Sequence, residues 1–350
     1  MLVDSPPKQS AEPIAAAGPR RRDSVRALGL LASLGVLLLV CVASIVVGAK
    51  PVPLDEVWHG LFHNSGTGND IIVRDLRVPR TVLGLLVGAA LGLSGAVMQA
   101  LTRNPLAEPG LLGVNAGASA AVVTAVSFLG VTSFTGYVWF AFIGAALVSV
   151  VVYVLGGTRS ATPVRLALAG TAATAALYGY VNAVQLLDAA ALDRLRFWTV
   201  GSLANAEMAT VGRVVPFIAV GIVLALLIAR PLNAMEMGDD TARALGANLN
   251  RTRVLAMVSV TLMCGAATAA CGPIVFIGLM VPYFVRALTG PDMRWILPYA
   301  AVLAPVLLLG SDVLGRVAAR PAELQVGIVT ALVGGPVFIH LVRRKRMAQL

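Results

Sequence analysis

The sequence predicts an all-α polytopic membrane protein with about ten transmembrane helices and both termini in the cytoplasm. Three observations predict it. Of 350 residues, 58% are hydrophobic and only 13% charged, about half the charged share of an average globular chain. Intervals free of Asp, Glu, Lys and Arg recur along the chain at lengths that cross about 30 Å of hydrocarbon as helices. The basic residues fall in the short segments between those intervals, rich and poor by turns, as orientation in a bilayer requires.

The intervals are Ala27–Ala49, Thr81–Thr102, Pro109–Thr158, Leu166–Leu187, Val214–Ala229, Val254–Val285, Trp295–Ser311 and Leu324–Val342. Two are too long for one crossing. Pro109–Thr158 divides near Thr132–Gly136, and Val254–Val285 divides at Cys271-Gly272-Pro273. The second is short for two crossings, so one helix there is abbreviated. The first interval follows Arg20–Arg22 but exceeds a signal-peptide core of about 7–15 residues, so it is a retained helix.

Residues 1–25 form a Pro-, Ala- and Ser-rich tail, expected to be disordered; the membrane domain spans 26–346. Of 27 basic residues, 18 lie in alternate segments around Arg20–Arg26, Arg103, Arg159, Arg230–Arg253, Arg286 and the C-terminus. The positive-inside bias puts those segments in the cytoplasm. The outward minority includes Lys50, Arg74, Arg77, Arg80, Arg316 and Arg320. A net charge of +10 would suggest nucleic acid in a soluble chain; here orientation explains it, and no nucleic-acid partner is expected. The three cysteines lack metal-ligand spacing and read as buried apolar residues.

In Thr81–Thr102 the glycines Gly84, Gly88 and Gly92 recur every fourth position, with Gly95 close behind. Such spacing lets a second helix backbone come close in lipid. In Leu166–Leu187, Thr171, Thr174, Tyr178, Asn182 and Gln185 follow at steps of three or four, one stripe of a helix. Polar groups facing hydrocarbon are costly, so the stripe faces either packed protein or a wet passage. Asp312 and Arg316, four apart, pair along one helix face just beyond a span's end. His59 and His63 at i, i+4 could hold a metal, yet no third ligand is evident; with Trp58, Leu61 and Phe62 they read as a short interfacial helix.

Catalytic machinery is missing. The only lysines are Lys8, Lys50 and Lys345, none in a phosphate-loop context, so the chain is not expected to be an enzyme or to hold a cofactor. By construction the apolar intervals carry no Asp, Glu, Lys or Arg, which argues against a carrier driven by an ion gradient; His340, in the last interval near its basic end, reads as an interfacial or packing residue. Residues 233–252 are the longest inward polar insertion. There Gly238-Asp239-Asp240 starts a helix, Ala242 and Leu245 give an apolar edge, and Gly246 is a C-cap. The segment reads as a docking helix for a soluble partner or as a passive linker.

The stretches RVPRTVLGLLVGAALGLSGAVMQ, NPLAEPGLLGVNAGAS, FWTVGSL, GDDTARALGAN, GPIVFIGLMVPYFVR and AELQVGIVTALVGGPVFI resemble, in order, the FecCD family of ABC-importer permeases. That family includes the vitamin B12 permease and many ferric-siderophore and haem permeases. The resemblance implies a vitamin B12 permease-like fold in a bacterial inner membrane, paired with a second, identical or related, permease subunit. It also implies two ATPase subunits that bind ATP and Mg, and an extracytoplasmic binding protein. It assigns Arg77, Arg80 and Arg316 to docking of that binding protein, and Gly238, Asp239, Asp240, Ala242, Leu245 and Gly246 to coupling with the ATPases. It assigns the Thr171–Gln185 stripe to the translocation pathway. The cargo it implies is a metal chelate, a ferric siderophore before cobalamin or haem; the alternative from another class is an ion-gradient-driven secondary transporter.

Overall fold

A computed structural model describes residues 19–63, 68–131, 133–156 and 163–343. The tail through residue 18, residues 64–67, Thr132, the segment 157–162 containing Arg159, and the last seven residues lie outside the described residues, as does the side chain of His340. Helix α1 (Pro19–Val46) is followed by α2 (Leu54–Phe62) and α3 (Gly68–Ile71); a π-helical turn at Ile72–Arg77 then leads into α4 (Val78–Thr102). A 3-10 turn at Pro109–Leu112 precedes α5 (Val114–Phe128), α6 (Phe134–Leu155), α7 (Pro163–Leu187) and α8 (Ala189–Val200). Next come α9 (Met208–Leu227), α10 (Ala229–Glu236), α11 (Asp239–Ala244) and α12 (Leu249–Cys271). The chain closes with α13 (Ile277–Thr289), α14 (Met293–Ala318) and α15 (Val326–Arg343).

Among the described residues six helices are long and apolar enough to cross a membrane, with shorter apolar helices at α5, α13 and α15. Together with the 25-residue α7, they place a helix in each interval counted from the sequence. The long Pro109–Thr158 run divides into α5 and α6. Val254–Val285 divides where Gly272 takes φ 75° before Pro273, and the abbreviated helix is α13, at 13 residues.

Glycine decides the packing. Helix α4 is the centre of the bundle, with 78% of its span buried against 6% for α1. Gly84, Gly88 and Gly92 face α14. A Cβ at Gly88 would lie 2.7 Å from the Pro305 nitrogen, and one at Gly92 2.7 Å from the Ala300 carbonyl oxygen. Gly95 faces α13, where a Cβ would overlap the Gly278 carbonyl. The stripe is therefore a contact surface for two helices, and Gly95 serves the second. Helix α1 presents Leu28, Leu31, Leu38 and Leu39 outward, as a lipid-facing helix does.

One expectation is corrected. Asp312 does not lie beyond a span's end: α14 runs unbroken through it, and the residue is completely buried. The sequence interval stopped at the first charged residue. The helix continues because that charge is neutralised inside it.

Candidate functional site

Arg77, Arg80 and Arg316 come together at one end of the bundle. They line a recess of about 270 Å³ with Lys50, Ala204 and Glu323. As placed here they are not free outward charges; all three are buried. Arg77 donates to the carbonyls of Ile45 at 2.9 Å, Val46 at 2.7 Å and Lys50 at 2.6 Å. Arg316 donates to the carbonyls of Ser44 at 2.8 Å and Val47 at 3.0 Å, and Arg320 to that of Gly48 at 3.0 Å. These oxygens are at or just beyond the C-terminus of α1, whose last carbonyls have no intrahelical donors, and cations there complement the helix dipole. Arg80 donates to Asp312 at 2.7 Å and Glu323 at 2.7 Å, and Arg316 Nε to Asp312 at 3.0 Å. The outward minority of basic residues thus has a structural cause at this end.

Beside this cluster, α2 exposes Trp58 and Phe62, whose ring centroids are 4.5 Å apart. His59 Nδ1 lies 3.5 Å from the buried Asp70 carboxylate, and its ring stacks on His63 at 5.6 Å.

The segments assigned to the cytoplasm meet one another elsewhere. Helix α11 begins at Asp239 after Gly238, which takes φ 110°, and the chain leaves it through Gly246 at φ 81°. Asp239 bridges Arg103, in the left-handed C-cap of α4, and Arg253 of α12 at 2.7 Å. Asp240 pairs with Arg243 at 2.9 Å. Ala242 is buried whereas Leu245 is exposed, so the two do not form one edge: Ala242 anchors α11 and Leu245 points away. Arg286 pairs with Glu236 at 2.7 Å. Asp292 caps α14 by accepting from the Arg294 amide at 3.0 Å and also accepts from Asn233 at 2.8 Å.

On α7, Thr171, Tyr178 and Asn182 are exposed, while Thr174 and Gln185 are half-buried. The stripe runs along the edge of an open helix face; Val181 and Val184 face the core.

Sequence reasoning missed Glu108. The segment after α4 does not simply turn over in the cytoplasm. A Cβ on Gly278 would lie 2.9 Å from Pro109 Cδ and 3.0 Å from the Leu91 carbonyl oxygen. Leu91 is midway along α4, so residues 108–109 have turned back to about half its depth. Glu108 accepts a hydrogen bond from the amide of Phe276, the N-cap of α13, at 3.2 Å. Two signals were available: apolar sequence resumes at Pro109, immediately after this residue, and Gly110 and Gly113 delay the start of α5. The charge-free intervals could not show it, because a charge sets their boundary. The argument from a lack of intramembrane ionisable groups therefore fails at this residue.

The profile of the FecCD transport family matches residues 36–344. The ferric enterobactin transport system permease protein FepD of Escherichia coli is 45% identical over 327 residues, covering 92% of this chain and 98% of that one. The hemin transport system permease protein HmuU of Yersinia pestis is 36% identical over 318 residues, covering 89% and 94%. Among solved structures, a metal-chelate type ABC transporter in an inward-facing conformation superposes with a TM-score of 0.80 at 24% identity, covering 91% of this chain and 99% of that one. That likeness is one of fold. Profile and relatives extend over nearly the whole sequence, and this chain belongs to the FecCD transport family.

Proposed function

We propose that the chain is the permease subunit of an ATP-driven importer in a bacterial cytoplasmic membrane. It carries a metal chelate, a ferric siderophore, from an extracytoplasmic binding protein to the cytoplasm by alternating access. The observation that carries this reading is full-length membership of a family whose members FepD and HmuU are named for ferric enterobactin and hemin transport. Nothing among the relatives supports the ion-gradient carrier.

The working unit would pair this chain with a second permease subunit, its polar α7 face lining the passage. Two ATPase subunits would supply ATP and Mg and engage α11 and its flanks, Gly238 to Gly246. The exposed Leu245 is the apolar contact such a partner would cover. The binding protein would dock over the recess lined by Arg77, Arg80 and Arg316, where an acidic side chain entering from outside would sense their positive field without displacing their existing partners. Charge pairs of this kind set orientation and association rate more than affinity.

Uptake into proteoliposomes holding the permease, the ATPases and the binding protein tests the reading. Ferric chelate should accumulate only with ATP and all three components. Accumulation by the permease alone, driven by a pH or sodium gradient, would overturn it.

A further inference from the structure

The segment from Ala107 to Gly113 is wedged between three helices. Pro109 and the Leu91 carbonyl of α4 both lie against Gly278 of α13, and the Leu111 carbonyl lies directly against Gly170 of α7. This places Glu108 on the side of α7 that bears the polar stripe. One oxygen of its carboxyl takes the Phe276 amide hydrogen. The other has no partner among the described residues, and the residue is half-buried.

The surroundings of that second oxygen hold more unused polarity. Ser119, on α5, is 1% exposed, and its hydroxyl meets that of Tyr178 on α7. The Thr174 hydroxyl is buried and unpartnered, 3.8 Å from where a Cβ on Gly113 would stand. Tyr178, the partner of Ser119, is also within electrostatic reach of Glu108. Behind them the polar groups are satisfied: Asn115 accepts from Thr268 at 2.8 Å. Leaving the buried Thr174 hydroxyl and one oxygen of a half-buried carboxylate without a protein partner is costly. A packing role alone would be served by alanine and valine.

We propose that Glu108, Ser119 and Thr174, with Tyr178, form a polar cargo-binding station halfway along the α7 face, in which Glu108 accepts hydrogen bonds from N–H, O–H or ammonium groups of the chelating ligand. The station deepens the reading of this chain as a chelate permease and rests on it. It takes the organic periphery of the chelate, not the metal, which is already enclosed by its own ligand. A cargo passing from one side to the other would trade binding-protein contacts for these before release.

The test uses the complete transporter in proteoliposomes. Wild type is first offered ferric catecholates and hydroxamates; no ATP-dependent uptake of any would sink the functional reading itself. A chelate that is carried is then compared with its form in which the donor groups are acetylated or alkylated. Glu108→Gln keeps an oxygen for the Phe276 amide but turns an N–H₂ group toward the passage. It should lower uptake of the donor-bearing form roughly tenfold relative to the blocked form. Ser119→Ala should slow both forms about threefold, with melting temperature unchanged. If Glu108→Gln leaves the ratio of the two forms within twofold of wild type, no cargo contact exists there. If Glu108→Ala loses thermal stability and uptake together while Glu108→Gln restores both fully, the residue is a helix cap, and the proposal fails as well.

Discussion

Arg80 donates to Asp312 at 2.7 Å across 232 residues of sequence, and the same carboxylate takes Arg316 one helical turn away. Asp312 is wholly buried, and the side chains of Arg80 and Arg316 are 10% and 2% exposed. Removing the shared carboxylate leaves two buried guanidiniums short of a counter-charge, a change that costs about 3–5 kcal/mol for one broken pair. Asp312→Asn should therefore lower thermal stability in detergent sharply, and Asp312→Leu more so. A melting temperature within two or three degrees of wild type in both would show that Glu323 alone balances the cluster.

The helix order and the glycine contacts were legible in the sequence because both are periodic: apolar runs fix the spans, and a four-residue repeat fixes a helix face. Segments that loop charge assigns to the same side also lie at the same end of the bundle, with Arg103 meeting Asp239, and Arg77 sharing a recess with Arg316. The status of the arginines was not legible. A basic residue just outside an apolar run looks the same whether it faces water or caps the previous helix, and the partners of Arg77 are backbone carbonyls about thirty residues earlier. Glu108 was hidden for a related reason, since the depth reached by a turn depends on where its flanking helices cross.

The glycine contacts carry a contrast within one protein. Gly88→Ala would place a methyl group 2.7 Å from the Pro305 nitrogen, and overpacking of this kind costs about 1–3 kcal/mol. At Gly35, in α1, an added Cβ would meet nothing within 4 Å, so Gly35→Ala should be neutral or stabilising by about 0.5–1 kcal/mol. In the same detergent, the melting temperature should fall for Gly88→Ala and hold or rise for Gly35→Ala. Equal shifts would mean that α4 and α14 are not in contact in the native protein.

The two readings of the α7 stripe separate by access. Asn182 and Tyr178 are exposed, and Thr174 is half-buried with an unpartnered hydroxyl. In a Cys41→Ser, Cys264→Ala, Cys271→Ala background, Asn182→Cys in the assembled transporter should react with a small charged thiol reagent. Its rate should change at least fivefold when ATP is added, as the passage changes sides. Protection of Asn182→Cys, Thr174→Cys and Gln185→Cys in every nucleotide state would assign the stripe to helix packing.

Asp239 ties α11 to the segment that carries Glu108, through Arg103 at the end of α4. If ATPase movement reaches the passage through this contact, Asp239→Ala should preserve ATP hydrolysis yet lower chelate carried per ATP, by about fivefold for a coupling near 1 kcal/mol. Arg103→Asp with Asp239→Arg should recover part of the loss. Hydrolysis and uptake that fall in the same proportion would instead indicate lost docking of the ATPase.

Asp292 offers a test of the inner end by pH. Burial pushes its carboxyl up, but hydrogen bonds from Arg294 and Asn233 outweigh this and hold it below its ordinary value of 3.8. A carboxylate with a lowered folded-state value stabilises above its unfolded value, and that contribution is lost as pH falls through the folded one. The stability gap between wild type and Asp292→Asn should hence be constant from pH 8 to 5 and close below about pH 4. Asn caps a helix as well as Asp, so Asp292→Ala should cost about 1 kcal/mol more than Asp292→Asn at every pH. A gap that widened on acidification would mean that Asp292 is held protonated, and that the bonds from Arg294 and Asn233 do not form in the membrane.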